Sequence, residues 1–496
     1  FDGSEAATAL VCEDILGLPA GTLMPESNFF EFGGHSLLAT QLMARIAKLG
    51  GPEVSVADFM RASTVAGLAR LARGEGILEE PRRFLPHEVD KYTQHMPDIN
   101  INTQAFWRYI VCTNNSSRVL LTGATGYVGT HMLARLLQGG STQIICVVRA
   151  PKDAEDRNAA AHERLLQRLA SCGFGDLDVS RLQVVAGDVS LPSMGMSEDE
   201  YLFLQQLVDV VIHTAADVNL AYSYDLLQGA NVQGTAHTID FARGGKVKSL
   251  HYVSTNGIFP EVGDVASFAE SDTPPHHLVH SGYGQSKWVA EQLVRKAQQL
   301  GLPCVVYRLG NVAGPVNGIG WNTSDSNLLF LKACVEFGSV PDADWSLEFT
   351  PVDFITQFIA NCVSDVDFSA GKTFHLINRS KLTMHQLAQV ASRVGFPINR
   401  AGKTAWCDKT KNAEGLLSVV LGREALDSLL GRHHECGQAN TEAACTHFSM
   451  GYPQATEVIL NAYLRRLISE RLLPSPSSLP GRLGGRIALV TGASSG

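Results

Sequence analysis

No stretch of the sequence is both apolar and long enough to cross a bilayer, and no secretory leader is recognisable. Basic residues are also few: 40 Lys and Arg stand against 49 Asp and Glu, for a net charge of −9. This deficit argues against nucleic acid as a main partner, and the missing apolar runs argue against a membrane. A hydrophobic content of 45% over 496 residues instead predicts a globular protein of roughly two to four domains.

The cysteines follow no recognisable disulfide or zinc pattern. The ten cysteines are scattered, and several lie in apolar runs, such as Cys146 in IICVV and Cys304 in PCVVY. We therefore expect buried free thiols in a reducing, cytoplasmic compartment. A polar cluster between His433 and His447 (which also contains His434, Cys436 and Cys445) matches no standard zinc spacing, so a loop between helices is expected there and no metal site.

The most informative stretch is Arg118–Gly129, which reads RVLLTGATGYVG. A short apolar strand, three glycines at three-residue spacing and a helical pattern predict a turn that presents backbone N–H groups to a pyrophosphate. The expected contacts are Thr122, Gly123, Thr125, Gly126, Tyr127, Val128 and Gly129.

Apolar segments then alternate with helical ones, which predicts parallel βαβ units and an α/β, doubly wound Rossmann sheet. The later strands are expected at Gln143–Val148, Leu182–Ala186, Val208–His213, Ser249–Ser254, Cys304–Tyr307 and Thr373–Leu376. The helices between them are expected around Ala159–Cys172, Glu198–Leu207, Tyr224–Ala242, Gln285–Leu300 and Asp353–Cys362.

The strand ends predict which dinucleotide is bound. Arg149 follows the second strand, where an NAD site usually has Asp or Glu, so a 2′-phosphate and hence NADPH is favoured, with Arg164 as a candidate helper. A surface arginine is the alternative. Further cofactor contacts are expected at the ends of the third and fourth strands, from Asp188, Val189, Ala215 and Ala216; His213 is expected to be structural.

Two polar segments predict proton-transfer chemistry. Thr255 ends the fifth strand, and Tyr283 and Lys287 lie four apart on the helix that follows, so the last two share one helix face. An ammonium near a phenol favours the phenolate and prepares the phenol to exchange a proton near neutral pH. Tyr-x-x-x-Lys alone is common in helices, so it indicates proton-transfer chemistry only in combination with the glycine turn and Arg149.

Near the N-terminus, Ser36 begins an amphipathic helix after a Gly-Gly pair, in the context FFEFGGHSLLAT. A helix N-terminus stabilises a phosphodiester, although a serine there can also simply cap the helix. The motif resembles the thiolation (peptidyl-carrier) domains of nonribosomal peptide synthetases, a small four-helix fold. The resemblance implies 4′-phosphopantetheine on Ser36, attached by a phosphopantetheinyl transferase.

The stretches LLTGATGYVGTHML, HYVSTNGIF, GYGQSKWVAE and VYRLGNVAG resemble the thioester-reductase branch of the extended short-chain dehydrogenase/reductase family. This resemblance implies a catalytic triad of Thr255, Tyr283 and Lys287, with Tyr283 and Lys287 also at the cofactor. It further implies that the loop of Leu309, Gly310, Asn311 and Val312 approaches the nicotinamide. Many relatives have Pro-Gly in place of Leu309-Gly310, which puts that contact in doubt.

We expect a carrier domain (1–75), a linker (76–117), a reductase domain (118–475), a second linker (476–485) and the truncated start of a second short-chain dehydrogenase (486–496). Within the reductase, the Rossmann core is expected at about 118–315 and 346–378, and a mainly helical substrate lobe at about 316–345 and 379–475. Trp321 and Asn322 are candidates for the acyl pocket, with core packing as the alternative for Trp321.

This domain order resembles fungal synthetase-like carboxylic acid reductases, including the type that reduces glycine betaine. It implies an upstream adenylation domain, a downstream dehydrogenase domain, and a small carboxylic acid bound as a thioester. The expected reaction is NADPH-dependent release of that acyl group as an aldehyde, with further reduction to an alcohol left open. A redox-free cyclising release domain, a nucleotide-sugar-modifying enzyme and a scaffold that only docks carriers remain as alternatives.

Overall fold

The structure is a computed structural model that describes residues 3–29, 32, 42–43, 45, 59, 62–75, 85–94, 96, 117–140, 142–151, 153–219, 222–260, 267–316, 320–322, 325–411 and 435–475. Ser36, His433, His434 and the segment 486–496 lie outside these residues. Within the described residues, no helix combines the length and the apolar character needed to cross a membrane.

The centre of the molecule is a parallel seven-stranded sheet with the order β12-β7-β5-β4-β1-β2-β3. The strands are β1 (Arg118–Thr122), β2 (Gln143–Val148), β3 (Leu182–Ala186), β4 (Val210–His213), β5 (Ser249–Thr255), β6 (Ser267–Phe268), β7 (Cys304–Leu309), β8 (Val312–Ala313), β9 (Ser339–Asp342), β10 (Ser346–Leu347), β11 (Thr350–Pro351), β12 (Thr373–Leu376), β13 (Leu382–Thr383), β14 (Asn399–Gly402) and β15 (Glu435–Cys436). The predicted parallel, doubly wound sheet is confirmed. The strand order reverses between β1 and β4, which opens a crevice at the carboxyl ends of these strands.

Helices cover both faces of the sheet. They are α1 (Gly3–Leu16), α2 (Val65–Ala72), α3 (Leu85–Thr93), α4 (Tyr127–Gln138), α5 (Arg157–Ser171), α6 (Glu198–Leu207), α7 (Tyr224–Gln228), α8 (Gly234–Arg243), α9 (Gly282–Gln299), α10 (Ser326–Glu336), α11 (Val352–Ser364), α12 (Val366–Ser369), α13 (Met384–Val394), α14 (Lys403–Lys411), α15 (Ala439–His447) and α16 (Thr456–Ser469). Successive β1 side chains point to opposite faces, so Leu120 packs under α6, α8 and α9, whereas Val119 and Leu121 pack under α4, α5 and α11.

The helix expected at 224–242 is interrupted. A π-helical turn, Gly229–Gln233, joins α7 to α8 and buries Asn231. The side chain of Asn231 accepts a hydrogen bond from the Asp217 N–H (2.7 Å) and donates to the Asp217 carbonyl (3.0 Å) and the Ser286 hydroxyl (2.9 Å). Such a turn often marks a functional site, because it re-aims one side chain within a helix.

A second core lies beyond the carboxyl edge of the sheet. It is formed by side chains of α10, α13, α14 and α16, with Trp345, Leu347 and Phe349 between the helices. Small strands also contribute: β9 pairs in parallel with β14, and β10 is antiparallel to β13. We call this unit, drawn from residues on both sides of α11 and β12, the lobe. The sequence predicts a mainly helical lobe and does not predict these short strands.

At the N-terminal end, α1 and α2 pack around Phe29 and Phe59, whose rings meet edge to face at 5.6 Å. Thr64 caps α2 by accepting a hydrogen bond from the Gly67 N–H. The side chain of Tyr222, from the loop that precedes α7, packs against this small core. The expected linker contains α3, which lies along α9 and buries Leu85 in the core beneath the sheet.

Candidate active site

The glycine turn after β1 is tight and lies directly against the end of β4. Gly123 has φ +74°, and a Cβ there would come 2.5 Å from the Ala215 backbone nitrogen. A Cβ on Gly129 would come 2.1 Å from the Gly123 carbonyl oxygen. Gly126 is the N-cap residue of α4 and, as a glycine, supplies no side-chain cap to the first N–H groups of the helix. The turn therefore fits the pyrophosphate of a dinucleotide, which needs close backbone approach and N–H donors.

The other predicted residues of the turn have distinct roles. Thr122 is buried, and its hydroxyl lies 2.7 Å from Nδ1 of His213. Burial lowers the pKa of His213 to about 3, with a further contribution from Lys287, so this imidazole stays neutral. Tyr127 packs edge to face on the ring of His131 at 4.8 Å, and burial raises the pKa of its phenol. Thr122 and Tyr127 thus brace the turn, and Thr125 and Val128 lie partly buried beside them.

The end of β2 places the guanidinium group of Arg164 next to the backbone of Arg149. Arg149 is exposed immediately after the strand, and Nη1 of Arg164 donates to its carbonyl oxygen at 2.8 Å. This bond holds Arg164, on α5, beside the Arg149 backbone. The pair offers the positive charge that a 2′-phosphate requires.

The ends of β3 and β4 complete the predicted cofactor face. Asp188 turns back on its own loop, where one carboxylate oxygen accepts from the N–H (3.0 Å) and hydroxyl (2.7 Å) of Ser190. Val189 packs against α8, since a Cβ on Gly234 would come 2.9 Å from a Val189 methyl group. Ala215 and Ala216, both partly buried, follow β4 beside the glycine turn.

The three expected catalytic residues lie at the carboxyl end of β5 and on the first turns of α9. Two glycines allow this approach. A Cβ on Gly284 would come 2.6 Å from the Gly257 carbonyl oxygen, so α9 packs directly on the turn that follows β5. Gly257 itself donates its N–H to the Thr255 hydroxyl at 3.0 Å, and a Cβ at Gly257 would lie 3.6 Å from the Tyr283 ring. Thr255 and Tyr283 therefore flank the same turn.

Lys287 lies one helical turn beyond Tyr283 and is buried. Its ammonium donates to the Val253 carbonyl at 2.8 Å and lies 4.3 Å above the Tyr252 ring. Burial lowers the pKa of Lys287 to about 7, while the carboxylate of Glu291 opposes this shift. This side chain is held under the floor of the crevice, within one helical turn of the phenol that it is expected to assist.

Beneath the triad lies a buried ionic cluster that sequence reasoning missed. The Glu291 carboxylate accepts from the Arg308 guanidinium at 2.7 Å and from the Ser254 hydroxyl at 2.7 Å. Arg295 also donates to Glu291, at 3.0 Å, and Arg308 reaches Nε2 of His375 at 3.0 Å. Burial alone would raise the pKa of Glu291, but Arg308 lowers it to about 2. The four-residue spacing from Lys287 to Glu291 was the available signal.

The loop of residues 309–312 follows β7 next to Thr255, because Leu309 is the residue paired with Thr255 in the sheet. The Asn311 carbonyl accepts from the Thr350 N–H (3.0 Å), and Val312 pairs with Thr350 between β8 and β11. The Asn311 N–H donates to the buried carboxylate of Glu348 at 2.7 Å. Glu348, too, was not found from the sequence.

Trp321 belongs to the core of the lobe. Its ring meets Tyr463 edge to face at 4.7 Å and covers Gly314, where a Cβ would come 2.3 Å from the indole. The structure therefore supports the packing alternative for Trp321. For Asn322, the described contact is its carbonyl, which accepts from the Asp325 N–H at 3.1 Å.

Two described members of the His/Cys cluster are accounted for by packing. Cys445 is buried against the sheet core. His447 stacks on Phe368 at 4.0 Å and pairs with Asp365 at 2.8 Å. Within the part of the chain that the structure describes, no group of three or more His, Cys, Asp or Glu is placed to hold a metal ion.

Comparison with known proteins gives two family matches. Residues 9–72 match the family described as "Phosphopantetheine attachment site". Residues 121–359 match the family described as "Male sterility protein", an NAD-binding family. The two matched segments contain Ser36 and the triad, respectively.

One similar curated protein is the glycine betaine reductase ATRR of Emericella nidulans, which is 30% identical over 97% of this chain; the chain spans only 39% of that protein's length. Among solved structures, the terminal R domain of the myxalamid PKS-NRPS pathway is 27% identical, with a TM-score of 0.68 over 79% of this chain and 99% of that one. A thiolation-reductase di-domain from an archaeal nonribosomal peptide synthetase shares the fold, at 20% identity and a TM-score of 0.66, over 94% of this chain and 98% of that one.

Proposed function

Because the chain joins a phosphopantetheine carrier domain to a reductase domain of the short-chain dehydrogenase fold, we propose that it reduces an acyl thioester held on its own carrier to an aldehyde, with NADPH. The observation that carries this proposal is the seating of Tyr283 beside Thr255, around Gly257, in a chain that also contains a phosphopantetheine attachment site. The carrier supplies a thioester, and the triad supplies hydroxyl donors for a carbonyl oxygen.

The glycine turn fits the cofactor, since Gly123 and Gly129 let the turn pack directly against the end of β4 at the start of α4, and a helix N-terminus suits a pyrophosphate. Bound NADPH supplies the hydride. The hydroxyls of Thr255 and Tyr283 hydrogen-bond the thioester carbonyl oxygen, and Tyr283 donates a proton to that oxygen as negative charge develops. The resulting hemithioacetal loses the pantetheine thiol to give the aldehyde. Lys287 places an ammonium group one helical turn from Tyr283, where it would assist proton transfer by the phenol and hold the nicotinamide ribose.

The larger polypeptide and the substrate also belong to this proposal. We place an adenylation domain before this chain, to activate a small carboxylic acid, and a second dehydrogenase after it, beginning at residues 486–496. The likeness to a glycine betaine reductase over 97% of the chain makes glycine betaine the first acyl group to test. A reducing cytoplasm fits the free cysteines, most of which are buried.

The test is a single-turnover assay on the full chain. A phosphopantetheinyl transferase converts Ser36 to the acyl-phosphopantetheine form from a panel of acyl-coenzyme A donors, and loss of reduced-nicotinamide absorbance is followed together with aldehyde formation. We expect one NADPH per acyl group if the chain stops at the aldehyde and two if it continues to the alcohol. The apo-chain, which lacks the arm, is the control and is expected to consume none.

Absence of NADPH oxidation across the whole acyl panel would contradict the reductase proposal. A cyclised product released without NADPH loss would favour redox-free release. Turnover of a nucleotide sugar by the apo-chain would favour the sugar-modifying alternative. Loading of the acyl group without any release would favour the alternative of a scaffold that only docks carriers.

Arg149→Ala is expected to weaken NADPH binding by roughly tenfold or more, since a charge-assisted bond to phosphate contributes about 1.5–3 kcal/mol. Binding of NADH, which lacks the 2′-phosphate, should change less than twofold. Titration of both dinucleotides against the folded variant measures this. Arg157→Ala, at the exposed start of α5, is the matched control. Equal losses for NADPH and NADH would refute the phosphate assignment.

The contact of Tyr222 with the carrier core gives a further prediction. Its backbone lies against the start of α9, because a Cβ on Gly282 would come 2.3 Å from the Tyr222 carbonyl oxygen. Tyr222→Ala is expected to slow reduction of the tethered thioester by about tenfold, as loss of an aromatic interface anchor costs above 1 kcal/mol. Reduction of a free acyl-pantetheine should be unaffected.

Tyr201→Ala serves as the control for that variant, because Tyr201 packs on Phe241 within the reductase domain. Both substrates are followed with each variant. If Tyr222→Ala slows the tethered and free thioesters equally, Tyr222 acts on the reductase itself and not on carrier docking.

A further inference from the structure

Glu348 is a buried carboxylate between β10 and β11, on the border of the sheet and the lobe, with 6% of its surface exposed. One oxygen accepts the Asn311 N–H at 2.7 Å. The other accepts the Asn378 N–H at 2.9 Å and the Thr350 hydroxyl. Burying an acid normally costs stability. The three donors around Glu348 therefore indicate that this position needs a side chain with a hydrogen-bond acceptor on both oxygens.

These bonds tie together three segments of the chain. Asn311 belongs to the loop after β7, Asn378 follows β12, and Thr350 begins β11. The same segments are cross-linked by bonds from the Gly310 N–H to the Leu376 carbonyl and from the Thr350 N–H to the Asn311 carbonyl, each 3.0 Å long. Glu348 is therefore the side chain that fixes how the loop of residues 309–312 leaves the sheet.

The approach of Glu348 also explains a glycine. A Cβ on Gly310 would come 2.6 Å from Oε2 of Glu348 and 3.1 Å from a methyl group of Ile377. Only glycine leaves the carboxylate room to reach the next residue's N–H. Gly310 and Glu348 thus act as a pair: the first provides the space and the second provides the acceptor.

The loop that Glu348 fixes begins beside the catalytic hydroxyl, since Leu309 pairs with Thr255. We propose that Glu348 is a positioning residue: through the Asn311 N–H it holds residues 309–312 against the nicotinamide end of the crevice, and so sets the affinity for NADPH. This inference rests on the proposed function for the location of the cofactor, but not for the reduction of a thioester.

The surroundings of Glu348 shift its pKa in opposite directions. Burial raises the pKa of Glu348 to about 7, although the Thr350 hydroxyl and the two N–H donors favour the carboxylate. Lys381 also favours the charged form, and the phenol of Tyr463 lies close enough for its own pKa to be raised in part by Glu348. An amide at this position has one oxygen and one NH₂ group, so one of the two backbone N–H groups would face a donor.

The test compares Glu348→Gln with Glu270→Gln in the full chain. Glu270 is a matched control: it is also buried, and it accepts the His375 and Thr441 N–H groups at 3.1 Å, but it holds β12 and α15 rather than the loop of residues 309–312. The readouts are the Kd for NADPH, from a binding titration without any acyl group, and the Tm of each variant.

Glu348→Gln is expected to raise the Kd for NADPH about tenfold, which corresponds to about 1.4 kcal/mol. Glu270→Gln is expected to lower the Tm and leave that Kd within twofold of the unmodified chain. Glu348→Asp, which keeps the charge on a shorter side chain, should recover part of the affinity. An unchanged Kd in Glu348→Gln, or an equal loss in Glu270→Gln, would overturn the proposal.

Gly310→Ala keeps the test decisive if Glu348→Gln does not fold. The added methyl group would push the Asn311 N–H away from an intact carboxylate, and the Kd for NADPH is expected to rise to a similar degree. An unchanged Kd in this variant would also overturn the proposal. Because binding is measured without turnover, the result is independent of whether the chain reduces a thioester.

Discussion

Tyr283→Phe is expected to lower the rate of NADPH-dependent thioester reduction by roughly 10³-fold, within the range typical of a lost general acid. The phenylalanine ring should keep the packing of α9 on the turn after β5, since Tyr283 is 9% exposed and its ring lies beside Gly257. Only the hydroxyl that we propose as the proton donor to the carbonyl oxygen is lost. The Kd for NADPH is therefore expected to stay within about twofold, because the phosphate-binding turn is formed by other residues.

The measurement is single-turnover reduction of the acyl-loaded chain, with NADPH binding determined separately. Tyr307→Phe is a suitable control, because Tyr307 is a buried tyrosine of β7 whose hydroxyl lies 2.8 Å from Nδ1 of His251 inside the sheet. It should cost about 1 kcal/mol of stability and leave turnover unchanged. Retention of more than a tenth of the activity by Tyr283→Phe would assign proton donation to another group.

Arg308→Met is expected to reduce the free energy of unfolding by about 3–5 kcal/mol, the usual cost of removing one partner from a buried ion pair. Both side chains are fully buried, and Arg308 makes three of the contacts to Glu291. Methionine fills much of the volume but provides no charge. Denaturant unfolding at neutral pH measures the loss, and the double variant Glu291→Gln/Arg308→Met should recover part of it.

The pH dependence identifies the cause. In the unmodified chain the pKa of Glu291 is lowered to about 2, below the value of about 4.3 in an unfolded chain. Its contribution is thus present above about pH 4.3 and is lost as the pH falls toward 2. Without Arg308, only Arg295 and the Ser254 hydroxyl oppose the burial that raises the pKa of Glu291, so we expect a higher pKa, and acidification from pH 7 to pH 4 should narrow the stability gap between variant and unmodified chain. A gap that stays constant would indicate lost packing instead.

Much of the Rossmann core could be predicted from the sequence, because its strands are short apolar runs with a clear period. β2, β3 and β12 begin and end at the expected residues. β7 runs two residues further than expected, to Leu309, because Arg308 is buried by its ion pair and so interrupts the apolar pattern. The π turn at Gly229–Gln233 was not predicted, because the sequence keeps a helical pattern both before and after it.

Residues of the candidate site could be predicted where they form a short sequence motif. Residues that come together only when the chain folds could not. The glycine turn and the pair Tyr283 and Lys287 are visible as short motifs. Glu348 is 37 residues from the Asn311 N–H that it accepts, so no local pattern could connect them. Glu291 and Arg308 are likewise on different elements, α9 and β7, so no local pattern connects them.

The pairing of β9 with β14 has a consequence for engineering. Residues 339–342 and 399–402 form one small parallel sheet. In the sequence they lie on opposite sides of α11, which packs on the central sheet, and of β12, which is a strand of that sheet. A chimera that exchanges only one of these segments would pair β9 from one protein with β14 from the other. Transplanting the lobe between related enzymes therefore calls for two insertions with four junctions, with α11 and β12 retained from the recipient.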